Sequence, residues 1–268
     1  MWATYWDALQ EVGGRKVLHA LVALGVGMGL LFNLRIEFAA INGVDVIYRG
    51  PLNMGPWHLA VPTILAQMTS FIGGIWTFIM IIVCDPVFVS TLERGWREIT
   101  FSKGTPRWHI FFGRYLAAIT LFFIPVLMSS MPLAARLWWR ADVPTWHVAI
   151  AALVQTFSIA ALLAVGALTS VVAERAVAAS IIASIGMLFL SMLLRNRDLL
   201  RDYFTSEFAR QILDWLYYVV PKYAELNSLA SGFIQSSTIA TSWPLWTTGL
   251  FTLATLALTM WLLERKSF

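Results

Sequence analysis

Six stretches of this chain carry no Asp, Glu, Lys or Arg: residues 17–34, 50–84, 115–135, 143–173, 176–194 and a last one ending at Leu263. A helix needs about 20 mostly apolar residues to cross about 30 Å of hydrocarbon, so each stretch has room for one crossing. The last is long, but its first half holds Asn227, Ser228, Ser231, Gln235, Ser236 and Ser237 and is too polar for a second. The runs do not alternate apolar with polar, as strands of a membrane barrel would. In hydrocarbon every backbone N–H and C=O must be satisfied within its own segment. The expectation is an all-α polytopic bundle of six transmembrane helices, at about 17–34, 59–83, 115–134, 147–172, 177–194 and 244–263, forming a single transmembrane domain over residues 1–268.

Charged residues make up 13% of the chain and hydrophobic ones 59%, against roughly 25% and 45–50% in soluble domains. That leaves too little charge to cover a soluble surface, which excludes a soluble enzyme, and too much apolar content for a disordered chain. Cys84 is the single cysteine, so there is no disulfide scaffold. The net charge of +4 is carried by the connections and gives no case for nucleic acid. Trp138, Trp139, Trp146, Trp243, Trp246 and Trp261 fall near the ends of the apolar runs, where an interfacial aromatic belt belongs. Trp76 falls inside the second span, where packing is the expected role.

Residues 2–13 place Trp2, Tyr5, Trp6, Leu9 and Val12 on one helical face, a short interfacial helix. Asp7 and Glu11 precede the first span, so the preceding segment is not basic overall, and no clear small-x-small cleavage site follows before Arg35, which argues against a cleaved leader. With the N-terminus inside, the inner segments hold ten Lys/Arg and the outer ones nine, or four once the 195–242 connection is set aside. Both termini are therefore expected in the cytoplasm.

Two connections are long. Residues 84–114 hold five basic and three acidic residues. Within 195–242, Phe204, Phe208, Ile212, Trp215, Leu216 and Val219 recur at helical spacing until Pro221 breaks the pattern. An amphipathic helix over about 203–220, lying on the outer interface as a lid or an external gate, is expected.

The chemistry-bearing motifs are few. There is no G-x-x-x-x-G-K-[ST] loop and no G-x-S-x-G elbow. His19, His58, His109 and His147 fall in four separate segments with no metal-ligand spacing, so neither a metal site nor catalytic residues are assigned. The six predicted spans contain no Asp, Glu, Lys or Arg, which argues against an ion-driven carrier. His19 is expected to bond across helices. Asp198 and Asp202, among Arg195, Arg197 and Arg201, read as a solvated charge cluster. Small residues at i,i+4 spacing, such as Gly25 with Gly29 and Ser180 with Ser184, favour close helix contact. Gln67, Thr69, Ser70 and Gln155 either line a cavity or bond between helices.

A bundle of this kind has no energy source of its own, and its conspicuous charged feature is the 84–114 connection. Residues 93–114 read E-R-G-W-R-E-I-T-F-S-K-G-T-P-R-W-H-I-F-F-G-R. Glu93, Arg94, Gly95, Glu98, Ser102, Arg107 and Gly113 resemble the motif after the second span of exporter-type (type two) permeases of ATP-binding cassette (ABC) transporters. Arg114 stands where that family has Lys, Trp96 where it has Thr, and Gly104 where it has Pro. The apolar-then-basic ending, Trp261 to Phe268, is similar too.

The resemblance implies a cytoplasmic coupling helix, with Glu93, Arg94, Gly95, Arg97, Glu98 and Arg107 contacting a separate ATPase subunit. It implies two ATPase copies and a second permease copy, identical or a close paralogue. ATP and Mg would lie on the partner, with no cofactor in this chain. It also implies a permease in the lipid bilayer of a bacterial plasma membrane; separately, the uncharged walls of the spans suggest an amphipathic or hydrophobic cargo. Two other readings stand beside it. One is a membrane anchoring or assembly subunit without transport. The other is a membrane-embedded lipid enzyme, for which Asp198 and Asp202 alone come near a catalytic cluster.

Overall fold

The computed structural model describes residues 2, 5–7, 9, 10, 17–34, 36–41, 44–49, 52–90, 106–141, 146–173, 177–204, 206–236 and 241–265. In chain order the elements are α1 (Val17–Leu34), β1 (Ile36–Ile41), β2 (Val44–Arg49), β3 (Leu52–Pro56), α2 (Trp57–Ser90), α3 (Arg107–Ala141), α4 (Trp146–Val172), α5 (Val177–Arg195), α6 (Arg197–Tyr203), α7 (Glu207–Val219), α8 (Tyr223–Ser236) and α9 (Trp243–Arg265). Five of them, α2, α3, α4, α5 and α9, are long and apolar enough to cross a membrane. The chain is a multi-pass helical membrane protein. The apolar stretch of α1, His19–Leu31, is shorter.

A three-stranded antiparallel sheet, ordered β1-β2-β3, adds to the expected all-α plan. Ile36 pairs with Arg49 and Ile41 with Val44, a tight hairpin register. Its backbone groups are satisfied between strands rather than within a helix, which requires a place outside the hydrocarbon.

The bundle is organised around α4, which touches α2, α3, α5, α8 and α9. Its buried residues include Ala151, Ala152, Ala160, Ala161, Ala164, Gly166 and Ala167. Apolar side chains gain little by leaving lipid for protein, so membrane helices associate through close packing and polar contacts, which small residues permit. The α4 window is 72% buried, against 28% for α5 and α9, which sets the centre and the rim. Large side chains fill what the small ones leave: Trp76, Phe88, Phe111 and Phe122 are fully buried.

α1 packs along α3. A Cβ on Gly25 would meet the Pro125 carbonyl oxygen at 3.0 Å, and one on Gly29 the Ser129 carbonyl oxygen at 2.5 Å. One turn separates the two glycines, so both face the same groove. On α3, the Ser129 hydroxyl donates to Pro125 O at 2.7 Å and accepts from Trp76 Nε1 at 2.8 Å. Trp76 is thus a packing residue with its polar edge satisfied. Near the N-terminus, Tyr5 donates to Thr120 Oγ1 at 3.2 Å, while Trp2 and Trp6 are exposed. Trp138, Trp139, Trp146, Trp243, Trp246 and Trp261 are also exposed, as a belt requires.

One expectation about the spans is corrected. The charge-free run ends at Cys84, but α2 continues to Ser90, so Asp85 lies inside the span Ala60–Val89 with 0% exposure. The statement that no span holds a carboxylate therefore fails: the helix runs on past the charge because Ser184 and Gly166 accommodate it. Residues 223–236, too polar for a crossing, form the 14-residue α8, which is not among the candidate spans and packs against α2 and α4. Its hydroxyls are spent locally, Ser228 on Ala224 O and Ser231 on Ser228 O, while Leu226, Ala230, Phe233 and Ile234 are buried.

Candidate functional site

The site begins at the bundle end where α2 finishes and α3 starts. Of the expected coupling residues, Glu93, Arg94, Gly95, Arg97 and Glu98 lie outside the described residues. Arg107 is described: it is half-buried and donates from Nη1 to the Leu263 carbonyl at 3.2 Å. That carbonyl belongs to the last turn of α9, where C=O groups lack intrahelical partners, so a cation there both caps and complements the helix dipole. Seven residues on, buried Arg114 donates to Val87 O at 3.1 Å, in the last turn of α2. The two arms of the 91–105 segment are thereby tied to each other and to α9. At 34 and 35 residues, α2 and α3 are each about 51–53 Å long by their rise. That exceeds about 30 Å of hydrocarbon by some 20 Å.

Just inside this end, Asp85 meets α4 and α5. Ser184 donates to Asp85 Oδ2 at 2.9 Å and approaches Leu162 O at 3.3 Å. Ser180 donates to Gly166 O at 2.8 Å and also lies within reach of the carboxyl. Asp85 Oδ1 has no hydrogen-bond partner among the described residues. Gly166 has no space for a side chain: a Cβ there would overlap Asp85 Oδ1.

A second polar group lies further along the bundle. Gln155 is buried and donates from Nε2 to Thr69 O at 2.8 Å and to Asn227 Oδ1 at 3.2 Å, joining α2, α4 and α8. A Cβ on Gly73 would meet the Gln155 amide at 2.5 Å, so that glycine makes room for it. One step nearer the first end, Thr77 Oγ1 and Tyr223 OH are 2.8 Å apart. Of the expected cavity residues, Thr69 and Gln155 are buried in this interhelical network, Ser70 is half-buried and Gln67 is exposed. The four are therefore not brought together, and Gln155 takes the interhelical bonding that was the alternative. His19 is exposed, which removes its expected interhelical bond.

The opposite end carries the expected amphipathic helix as α7. Its apolar residues Phe208, Ile212, Trp215, Leu216 and Val219 are exposed, and only Leu213 is buried. An apolar face turned outward fits an interfacial helix embedded from the side and not a lid packed onto protein. Behind it, Pro221 and Lys222 lead into α8. Lys222 is buried, with its Nζ 3.5 Å above the Tyr217 ring centroid and the Arg197 guanidinium 3.8 Å from the same ring. Burial pushes Lys222 down to about 8, and the Arg197 charge adds to that while Glu225 opposes it. Burial and the Glu225 hydrogen bond push Tyr217 up to about 12. Asp198 is exposed beside Arg197, and Asp214 pairs with Arg201 at 3.8 Å, which agrees with a solvated charge cluster.

Asp85 and α8 are the residues that sequence reasoning missed. No protein-family model matches this chain, and neither a curated protein nor a solved structure matches it.

Proposed function

We propose that this chain is the transmembrane permease subunit of an ATP-driven exporter of the ABC type-two kind, in a bacterial plasma membrane. In this reading α1 is a sixth span, both termini are cytoplasmic, and residues 91–105 are the handle on which a separate ATPase acts. Two ATPase copies and a second permease copy complete the unit, and ATP with Mg belongs to the partner. Glu93, Arg94, Gly95, Arg97 and Glu98 offer both signs of charge to the ATPase, with Gly95 permitting close approach. Arg107 is reassigned from contacting the ATPase to anchoring the handle.

The observation that carries the reading is the pair of ties at the handle's two arms, Arg114 to Val87 O and Arg107 to Leu263 O. Each tie caps a helix end, and together they hold both arms of the 91–105 segment against the bundle. A lever needs stiff arms, so that displacement passes to the bundle and is not absorbed locally. The test is purification of the native chain with its partners. A soluble ATPase should co-purify, and Glu98→Arg or Gly95→Trp should abolish transport-linked ATPase stimulation while the bundle stays folded. Normal stimulation in both variants refutes the assignment. A stable complex without any ATPase replaces it with an anchoring subunit.

A further inference from the structure

A carboxyl group inside a membrane bundle is expensive and tends to mark an ion or substrate position. Asp85 is fully buried within the span Ala60–Val89, one of its oxygens has a hydroxyl donor, and the other has no partner among the described residues. The surroundings of this α2 carboxyl are oxygen-rich and come from two further helices: Ser184 Oγ and Ser180 Oγ from α5, and the Leu162 and Gly166 carbonyls from α4, which accept from those hydroxyls. These oxygens lie 2.8–3.3 Å from one another along the bonded pairs. Gly166 supplies the remaining requirement, since any Cβ there would fill the space that Oδ1 occupies.

We propose that the Asp85 carboxylate, with the Ser180 and Ser184 hydroxyl oxygens, forms a binding site for a sodium-sized monovalent cation. The donor set decides the class. Hard oxygens with no imidazole or thiolate turned to them exclude softer transition metals. A single carboxylate balances one positive charge, whereas divalent cations are held by more carboxylates and six or more oxygens. The neighbouring ionisable groups are committed elsewhere: Tyr115 donates to Ala160 O, Arg114 to Val87 O, and the Cys84 thiol faces Ala118 O. The proposal rests on this geometry and is independent of the permease reading.

The experiment uses the purified full chain in detergent, at fixed pH and ionic strength, with sodium, potassium or N-methylglucamine as the chloride salt. A ligand that binds only the folded chain raises its thermal midpoint by mass action. Sodium should raise the midpoint in a saturable way and N-methylglucamine should not, with radioactive sodium binding at one per chain. Asp85→Asn keeps an acceptor for Ser184 and the same shape, so the bundle should fold but lose the sodium increment. Gly166→Ala, which fills the cradle, should lose it too, and Ser184→Ala should weaken sodium binding by about tenfold, the equivalent of one lost ligand at about 1.4 kcal/mol. Equal midpoints in all three salts overturn the proposal. So does a sodium increment that survives in Asp85→Asn. A midpoint that follows pH but not sodium also overturns it, because the site then holds a proton.

Discussion

Three glycines of α1 offer an internally controlled test of how that helix seats on α3. Gly25 and Gly29 face α3, whereas a Cβ on Gly27 would meet nothing within 4 Å. In a helix Gly→Ala gains about 0.8–1 kcal/mol from propensity alone. At Gly27 that gain should appear undiminished. At Gly29 the new methyl would lie 2.5 Å from a backbone oxygen, Ser129 O, and 3.0 Å from the Pro132 ring. Neither is the free end of a flexible side chain, so the helices must separate, at about 1–3 kcal/mol. The net expectation is a loss of up to about 2 kcal/mol for Gly29→Ala and a smaller loss or none for Gly25→Ala, whose nearest atom is at 3.0 Å. One kcal/mol moves the midpoint by about 2–4 °C in proteins of this size class. Thermal unfolding of the detergent-purified chain should therefore rank Gly27→Ala above the parent, Gly25→Ala near it and Gly29→Ala lowest, by up to about 8 °C below the parent. If Gly27→Ala destabilises as much as Gly29→Ala, α1 does not pack on α3 by this face.

Other substitutions probe the polar contacts. Ser129→Ala should cost about 1–3 kcal/mol of unfolding free energy, because it orphans the Trp76 indole N–H in a fully buried place. Trp76→Phe removes that donor along with its need, and a larger loss in Ser129→Ala would separate the bond from the packing. Gln155→Leu strands Asn227 and should cost a similar amount, read by hydrogen exchange in α8. For Lys222 the folded pKa is below the free value, so the seated turn gains stability as pH rises from about 8 towards 10.5 and is least stable below about 8. The gain is at most about 1.4 kcal/mol per pH unit. Lys222→Met should flatten that slope, and a wild-type midpoint that falls across this window contradicts the sign.

The span positions were legible because hydrocarbon penalises each charge so heavily that absence of charge is itself a signal. That signal also caused the error at Asp85: it ends a span at the first charge, while a helix ends only where its backbone or packing does. Ser180 and Ser184 were visible as small residues, but their meeting with residue 85 is a contact across 99 positions of sequence, which no local pattern carries. The α8 segment was hidden differently. Leu226, Ala230, Phe233 and Ile234 have helical spacing, but the serines between them masked it, since hydroxyls bonding to their own helix need no external partner. For the sheet, the pair Asn42-Gly43 between two β-branched runs is a strong hairpin signal.

The rim helix α5 has polar partners at its middle and near its C-terminal end. Ser184 holds the α2 carboxyl, and Ser191 accepts the Ala224 N–H that opens α8. Seven residues of unbroken helix separate the two hydroxyls, about 10.5 Å of rod. A helix resists stretching far more than it resists tilting, so these attachments keep a nearly fixed spacing. An axial pull of 1 Å delivered near residue 85 must then reach the foot of α8 almost in full, without any conformational change along the way.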